Sequence, residues 1–277
     1  MDYTHIPDIS CFYSDTKSEH LTKPDAHFGH QMMLVTEGAA QMVIHHKTYD
    51  VKAKSLIFIS RMERHYLIFN QSPYVRMVAS MSSNLVMSYI KEPELVSVFM
   101  QRPKAFCHVV QLSDETYDLV YPLFVAMCDE YTFKPQFYVS KSVSIAVEIL
   151  INLYRNNPES FPARGNSNVS EAVLNAQRAV NDRFQTNLTL QEIADENFIS
   201  RHTMSIAFKE IVGITFKEYL LLFRISEAKK LLITTDASIY DIAEKVGYIN
   251  VNNFIKIFKE REQQTPLKYR KQFIASL

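Results

Sequence analysis

Two stretches near the C-terminus carry the same helical pattern, and this internal repeat restricts the fold more than any other feature of the chain. The first copy runs through Leu190-Gln-Glu-Ile-Ala-Asp-Glu-Asn-Phe-Ile-Ser200 and on to Phe208, Thr215 and Tyr219. The second runs through Ile239-Tyr-Asp-Ile-Ala-Glu-Lys-Val-Gly-Tyr-Ile-Asn250 to Phe258, Thr265 and Tyr269. Ile193-Ala194 matches Ile242-Ala243 at an offset of 49, whereas Phe208, Thr215 and Tyr219 match Phe258, Thr265 and Tyr269 at an offset of 50. One residue inserted in a turn accounts for the difference. Each copy reads as a short helix, a turn and a second helix. The duplication therefore predicts two helix-turn-helix units spaced to enter double-stranded DNA side by side.

Capping residues mark the ends of these helices. Thr189 and Ser238 suit the N-caps of the two first helices, and Ser200 and Asn250 those of the two second helices. Met204, Ala207, Phe208 and Ile211 form the expected inner stripe of one second helix, and Phe254, Ile257 and Phe258 that of the other. The opposite faces supply the expected DNA contacts. These are Arg201, His202, Ser205, Ile206 and Lys209 in the first unit, and Asn250, Val251, Asn252, Asn253, Lys256 and Lys259 in the second. Arg and Asn suit base edges in the major groove. Lys209, Lys256 and Lys259 suit phosphates, which position a protein without reading sequence.

Bulk charge does not advertise this partner, because 30 basic and 30 acidic residues cancel. The segment from Asn168 onward has a net charge of only +2, so DNA binding must rest on where its basic side chains sit. Cys11, Cys107 and Cys128 lack metal-type spacing and read as reduced thiols. The N-terminus does not read as a signal peptide, and the apolar stretch Val143–Tyr154 contains Glu148 and is too short to span a bilayer. The expectation is a soluble cytoplasmic protein with no membrane association.

From about Ala26 to Ser82 the chain is a series of short β-type runs, namely Met32–Val35, Ala40–His45, Tyr49–Val51, Ser55–Ser60, His65–Phe69 and Tyr74–Ala79, with a polar turn at His46-Lys47-Thr48. This spacing predicts a small sandwich or barrel. Ser113-Asp-Glu-Thr opens a helix to about Tyr131, with a kink or break expected at Pro122. A second helix is expected over Phe137–Arg155, its stripe formed by Val139, Val143, Ala146, Val147, Leu150 and Tyr154. The two helices fit packing on the barrel or on a partner subunit. The polar segment 156–168, with Pro158, Pro162 and Gly165, reads as a linker between domains at 1–155 and 169–277.

Residues Ser170 to Lys271 resemble the DNA-binding domain of AraC/XylS-type transcription regulators. The resemblance rests on Ile242-Ala243, Val246-Gly-Tyr248, Asn253-Phe254, Phe258-Lys259 and Thr265-Pro266 to Tyr269-Arg270. It also rests on a linker helix around Tyr219–Leu232 with Arg224-Ile225, Ala228 and Leu231-Leu232. The first unit departs from the pattern, with Phe198-Ile199 where Gly-Tyr is usual. The β-rich segment is similar to the cupin-type sensor module that precedes this domain in the family. The fold class implied is α+β, with an N-terminal cupin-like β-barrel bearing appended helices and a C-terminal all-α domain with two helix-turn-helix units.

At the positions where such modules carry metal ligands, this chain has Asp25, His27, Gln31 and His65, with Lys54-Ser55 replacing the usual Gly-Asp turn. The first His is a carboxylate and the Glu an amide, so no metal and no cofactor is expected. Candidate effector-binding groups near the strand ends are His27, His30, Glu63, His65, Tyr74 and Arg76. The resemblance implies a non-enzymatic homodimeric activator, controlled by a small effector and working with RNA polymerase. Two other readings are control by a protein partner and a metal-dependent cupin enzyme with a DNA-binding tail.

Overall fold

The computed structural model describes residues 8–16, 29–44, 47–61, 63–68, 73–103, 105–162 and 167–275, and these form two compact units, one within 8–162 and one within 167–275. In the first unit, β1 (Ile9–Thr16), β7 (Tyr74–Met81), β2 (His30–Glu37), β5 (Ser55–Ile59) and β8 (Val109–Gln111) make one sheet in that order. β4 (Lys47–Lys52), β3 (Ala39–Ile44) and β6 (His65–Ile68) make a second sheet, and every pairing is antiparallel. Met33, Val35, Ile57, Tyr74 and Val78 from the larger sheet meet Met42, Ile44, Val51 and Leu67 from the smaller one in a shared apolar interior. Gly38 turns β2 into β3 at φ +81°, and a Cβ there would lie 2.0 Å from the carbonyl oxygen of Pro73, so only glycine fits.

The five-stranded sheet is covered on its other face too. Its helical layer comprises α1 (Ser83–Tyr89), α2 (Pro93–Met100), α3 (Asp114–Phe133) and α4 (Tyr138–Asn156). Phe58 of β5 meets Phe99 of α2 with ring centroids 6.0 Å apart, and α3 and α4 pack on β1. Burial on both faces explains why β2 and β5 read as near-continuous apolar runs rather than as alternating ones. The six expected β-runs correspond to β2–β7, whereas β1 and β8 went unanticipated. Lys47 and Thr48, expected in a turn, belong to β4, while His46 lies outside the described residues.

Pro122 does not break α3, which runs on from Asp114 to Phe133. The proline removes the N–H that would reach the carbonyl of Asp118, but both residues are exposed, so water can take that carbonyl. The buried face of α4 also differs from the expected stripe. Val143, Ala146 and Leu150 are buried as anticipated, but Ser142, Ile145, Ile149 and Leu153 join them, while Tyr154 turns outward. The cause is that α4 is contacted by α2, α3 and β1, a wider arc than a single stripe. Within the segment expected as a linker, Asn156 ends α4, Pro158–Ser160 form a 3-10 turn, and buried Phe161 packs edge-on against Phe58 and Tyr154.

The second unit is helical: α5 (Ser167–Arg183), α6 (Leu190–Glu196), α7 (Arg201–Val212), α8 (Phe216–Thr234), α9 (Ile239–Lys245), α10 (Val251–Glu262) and α11 (Pro266–Ala275). Among the described residues, no helix in the chain is long and apolar enough to cross a membrane.

Candidate functional site

Apart from the exposed pairs Lys209/Lys259 and Glu210/Glu260, the residues that match between the two copies build the frame rather than the reading surface. Ile193, Ala194, Ile242 and Ala243 are buried on the inner faces of α6 and α9. Phe208 meets Tyr219 edge-on at 5.5 Å and 77°, and Phe258 meets Tyr269 at 5.6 Å and 81°. Thr215 and Thr265 accept hydrogen bonds from the Glu218 and Lys268 N–H groups, capping α8 and α11. Full capping boxes start α6 and α9: Thr189 and Glu192 exchange bonds of 3.2 and 2.9 Å, and Ser238 and Asp241 exchange bonds of 3.1 and 3.2 Å.

The structure also locates the inserted residue. The N–H of Ile199 donates to the Ala194 carbonyl at 3.1 Å, and that of Tyr248 to the Ala243 carbonyl at 2.9 Å, so these two residues correspond. Ser200 and Asn250 correspond as the N-caps of α7 and α10. Ile249 is therefore the extra residue, and it is fully exposed. Phe198 corresponds to Gly247, and both hold the left-handed backbone conformation, at φ 55° and 85°.

On α7, Arg201, His202, Ser205, Ile206 and Lys209 are all exposed along one stripe. On α10, Asn252, Asn253, Lys256 and Lys259 are exposed. Val251, expected to face outward, is half-buried and packs against the core around Phe254 and Phe258. The Asn250 Oδ1 is occupied by the N–H groups of Asn252 and Asn253 at 2.9 and 3.1 Å. Two ion pairs fix α10 on α8: Lys229 with Glu262 at 3.3 Å, largely buried, and Arg261 with Glu218 at 2.8 Å, more exposed. Arg224 of α8 donates to the carbonyls of Phe184 and Thr186, each at 2.7 Å, and lies over the Tyr248 ring. With Tyr240, Glu244, Ile249 and Val251 it lines an open cavity of about 390 Å³ beside the second turn.

The N-terminal candidates do not converge on one site. His27 lies outside the described residues. Tyr74 belongs to the apolar interior between the sheets, and alternation along β7 puts Arg76 on the same face, its guanidinium 5.3 Å from the Tyr74 ring centroid. Burial pushes the Tyr74 hydroxyl up to about 12, with Arg76 opposing, and burial lowers the Arg76 pKa. His65 is buried at the start of β6 and donates from Nδ1 to the Glu63 carbonyl at 3.0 Å.

His30 faces the helical layer instead. Its Nε2 lies 3.1 Å from the Ser83 hydroxyl and its ring 5.5 Å from Phe99. Burial, helped by the charges of Arg61 and Arg102 and opposed by Glu63, brings its pKa down to about 3, so it is neutral.

The carboxylate of Glu63 is committed to the protein. It accepts from Arg102 Nε at 2.6 Å and Nη2 at 3.0 Å, from His108 Nε2 at 2.9 Å, and from the Ser60 N–H at 2.6 Å. Burial works against its charge, yet Arg102 and His108 outweigh burial and hold the carboxyl well below the ordinary range. His108 Nδ1 lies 3.0 Å from the Tyr49 hydroxyl, which extends this network to β4. Sequence reasoning passed over Arg102, His108 and Tyr49, because no local pattern ties residues after α2 to partners 39 to 59 positions away. It also set Gln31 aside as a failed metal ligand. By alternation with Met33 and Val35 its side chain enters the interior, where Oε1 is buried without a hydrogen-bond partner. No group of three or more His, Cys, Asp or Glu that could hold a metal ion occurs among the described residues.

A two-sheet unit followed by a doubled, capped helix-turn-helix unit defines the class. A family model described as "AraC-like ligand binding domain" matches residues 9–130, and one described as "Helix-turn-helix domain" matches residues 193–272. The chain belongs to the AraC-type family of transcription regulators. It is 42% identical over 91 residues to the "Bifunctional transcriptional activator/DNA repair enzyme AdaA" of Bacillus subtilis, covering 33% of this chain and 43% of that protein. It is 39% identical over 105 residues to the "Uncharacterized HTH-type transcriptional regulator YtdP" of the same organism, so the chain spans less than half of either relative, 13% in the latter case. The "Lactose operon transcription activator" of Staphylococcus xylosus is 25% identical over 87% of this chain and 83% of its own length. Among solved structures, ToxT from Vibrio cholerae shares the fold with a TM-score of 0.59 at 14% identity, covering 95% of this chain and 98% of that one.

Proposed function

We propose that this protein is a cytoplasmic, sequence-specific DNA-binding transcription regulator that activates its promoter, without catalysing a reaction. The observation that carries this reading is the doubled frame: two second helices, capped by Ser200 and Asn250, expose polar and basic stripes while identical contacts hold their inner faces. One chain then places α7 and α10 in successive major grooves, roughly 34–36 Å apart along the DNA. Arg201, Asn252 and Asn253 read base edges, and Lys209, Lys256 and Lys259 hold phosphates. Val251 contributes to packing. RNA polymerase and a second copy of the chain are the protein partners of this reading.

Binding-site selection with purified full-length protein tests it. Arg201→Ala and Asn252→Ala relax preference at particular base pairs, each by about 1–3 kcal/mol. Lys256→Ala weakens binding to all sequences alike and flattens the salt dependence. Unchanged preference in both of the first two variants overturns the assignment of the reading residues.

The N-terminal unit binds a small effector in the space between its sheets. In support, Gln31 and Arg76 bring polar groups to an otherwise apolar interior, and Arg76 suits a carboxylate. A solved ToxT structure is described as bound to an unsaturated fatty acid, which makes long-chain carboxylic acids the first probes and sugars the second. A native-state ligand raises the melting midpoint, and Arg76→Gln removes that shift for a carboxylic acid. Equal shifts in wild type and Arg76→Gln rule out this carboxylate role.

A further inference from the structure

Cys11 on β1 and Cys128 on α3 are free cysteines, buried to 0% and 1% exposure, and their sulfur atoms lie 3.0 Å apart. That is only about 1 Å longer than an S–S bond of about 2.05 Å. The pair is set by two independent patterns. Cys11 shares its face of β1 with buried Ile9, and Cys128 closes the inner stripe of Val120, Phe124 and Met127 on α3. The Cys11 thiol also reaches the Phe124 carbonyl at 3.8 Å, one turn before Cys128. β1 is the edge strand of its sheet and is held by β7 on one side, so it can detach without breaking the sheet's central pairings.

We propose that Cys11 and Cys128 form a modification site, a dithiol that hydrogen peroxide closes to an intramolecular disulfide fastening β1 to α3. In the first step one thiolate attacks a peroxide oxygen and the O–O bond breaks. The cysteine becomes a sulfenic acid, and the departing hydroxide takes a proton to leave as water. In the second step the other thiol attacks the sulfenic sulfur; the S–S bond forms, the S–O bond breaks, and its hydroxyl leaves as water with the thiol's proton. Two thiols lose two electrons and one peroxide becomes two waters. The neighbouring Cys128 sulfur and burial push the Cys11 thiol up, so at rest Cys11 stays protonated and reaction proceeds through transient opening of β1. The proposal is independent of the DNA-binding reading. Closure joins residues 117 positions apart, which restricts the unfolded chain strongly and raises the melting midpoint.

The test uses full-length protein, reduced and then treated with hydrogen peroxide, in buffer and in urea below the unfolding transition. Denatured samples are then alkylated and mapped by peptide mass. The expected result is a Cys11–Cys128 linked peptide about 2 Da lighter than the sum of its parts. Exposed Cys107 remains outside this link. The melting midpoint should rise by several degrees and return with dithiothreitol, and Cys11→Ala and Cys128→Ser should each abolish both changes. If both cysteines remain fully alkylated after oxidation in both buffers, or pair only through Cys107, the proposal is overturned.

Discussion

Replacing Phe198 by glycine should stabilise the protein, although it deletes the largest side chain of the first turn. Phe198 is 95% exposed, so its ring contributes almost no burial, and its backbone sits at φ 55°. A non-glycine residue in that region costs about 1–2 kcal/mol. Glycine returns about 0.4–1 kcal/mol of this through the greater freedom of the unfolded chain. The balance favours Phe198→Gly by about 0.5–1 kcal/mol, or roughly 2–8 °C in the melting midpoint of a helical unit of this size. The corresponding site in the second copy supplies a change of opposite sign. A Cβ on Gly247 would lie 2.8 Å from the Gln185 carbonyl oxygen and 3.0 Å from the Arg224 guanidinium. Gly247→Ala thus meets both backbone strain and a crowded wall, and costs about 2–4 kcal/mol. The chain contains no tryptophan, so urea unfolding is followed by far-UV circular dichroism, comparing midpoints at constant slope. A lower midpoint for Phe198→Gly would refute the reasoning, because it would mean that the ring makes stabilising contacts or the turn avoids the left-handed conformation.

Three further outcomes follow from the packing. His30 is neutral when folded, with its pKa near 3 against an ordinary 6.5, so the unfolded state binds the extra proton. Its stabilising effect is complete above pH 6.5 and is lost as pH falls toward 3; between pH 6.5 and 4.5 stability drops by up to about 1.4 kcal/mol per pH unit, and His30→Gln removes that slope. Glu63→Gln puts an amide among the donors of Arg102, His108 and Ser60, costing about 3–5 kcal/mol, read as a lower midpoint for the N-terminal unit. In the other unit, Lys229→Met removes the Lys229–Glu262 ion pair from a largely buried site and costs about 3 kcal/mol. Arg261→Ala breaks a more exposed pair with Glu218 and costs less than about 1 kcal/mol, so equal losses would contradict the burial argument.

The helical half was legible because its signals are local. A Thr or Ser cap with an acidic residue three positions later forms its bonds within one turn, and the two boxes at Thr189 and Ser238 occur at the starts that the residues predicted. What the repeat conserves was less obvious. Its matching Phe, Thr and Tyr residues pack and cap, while the exposed stripes of α7 and α10 differ almost throughout. The turn hydrogen bonds pair Tyr248 with Ile199, the same register as Gly247-Tyr248 against Phe198-Ile199 in the sequence, and so place the insertion at Ile249.

By itself, the sequence determined the doubled helix-turn-helix, the β-rich segment before it and most strand and helix positions, because periodicity and capping act over a few residues. Tertiary structure decided which way the N-terminal side chains point. β2 is buried on both faces and so shows no polar alternation, which leaves Gln31 toward the interior and His30 toward α1 and α2 without a local cue. It likewise decided the bonds joining Glu63 to Arg102 and His108, 39 and 45 positions away, and the meeting of Cys11 with Cys128. Such partners are brought together by the packing of sheets and helices, and nothing in the spacing of residues along a chain encodes them.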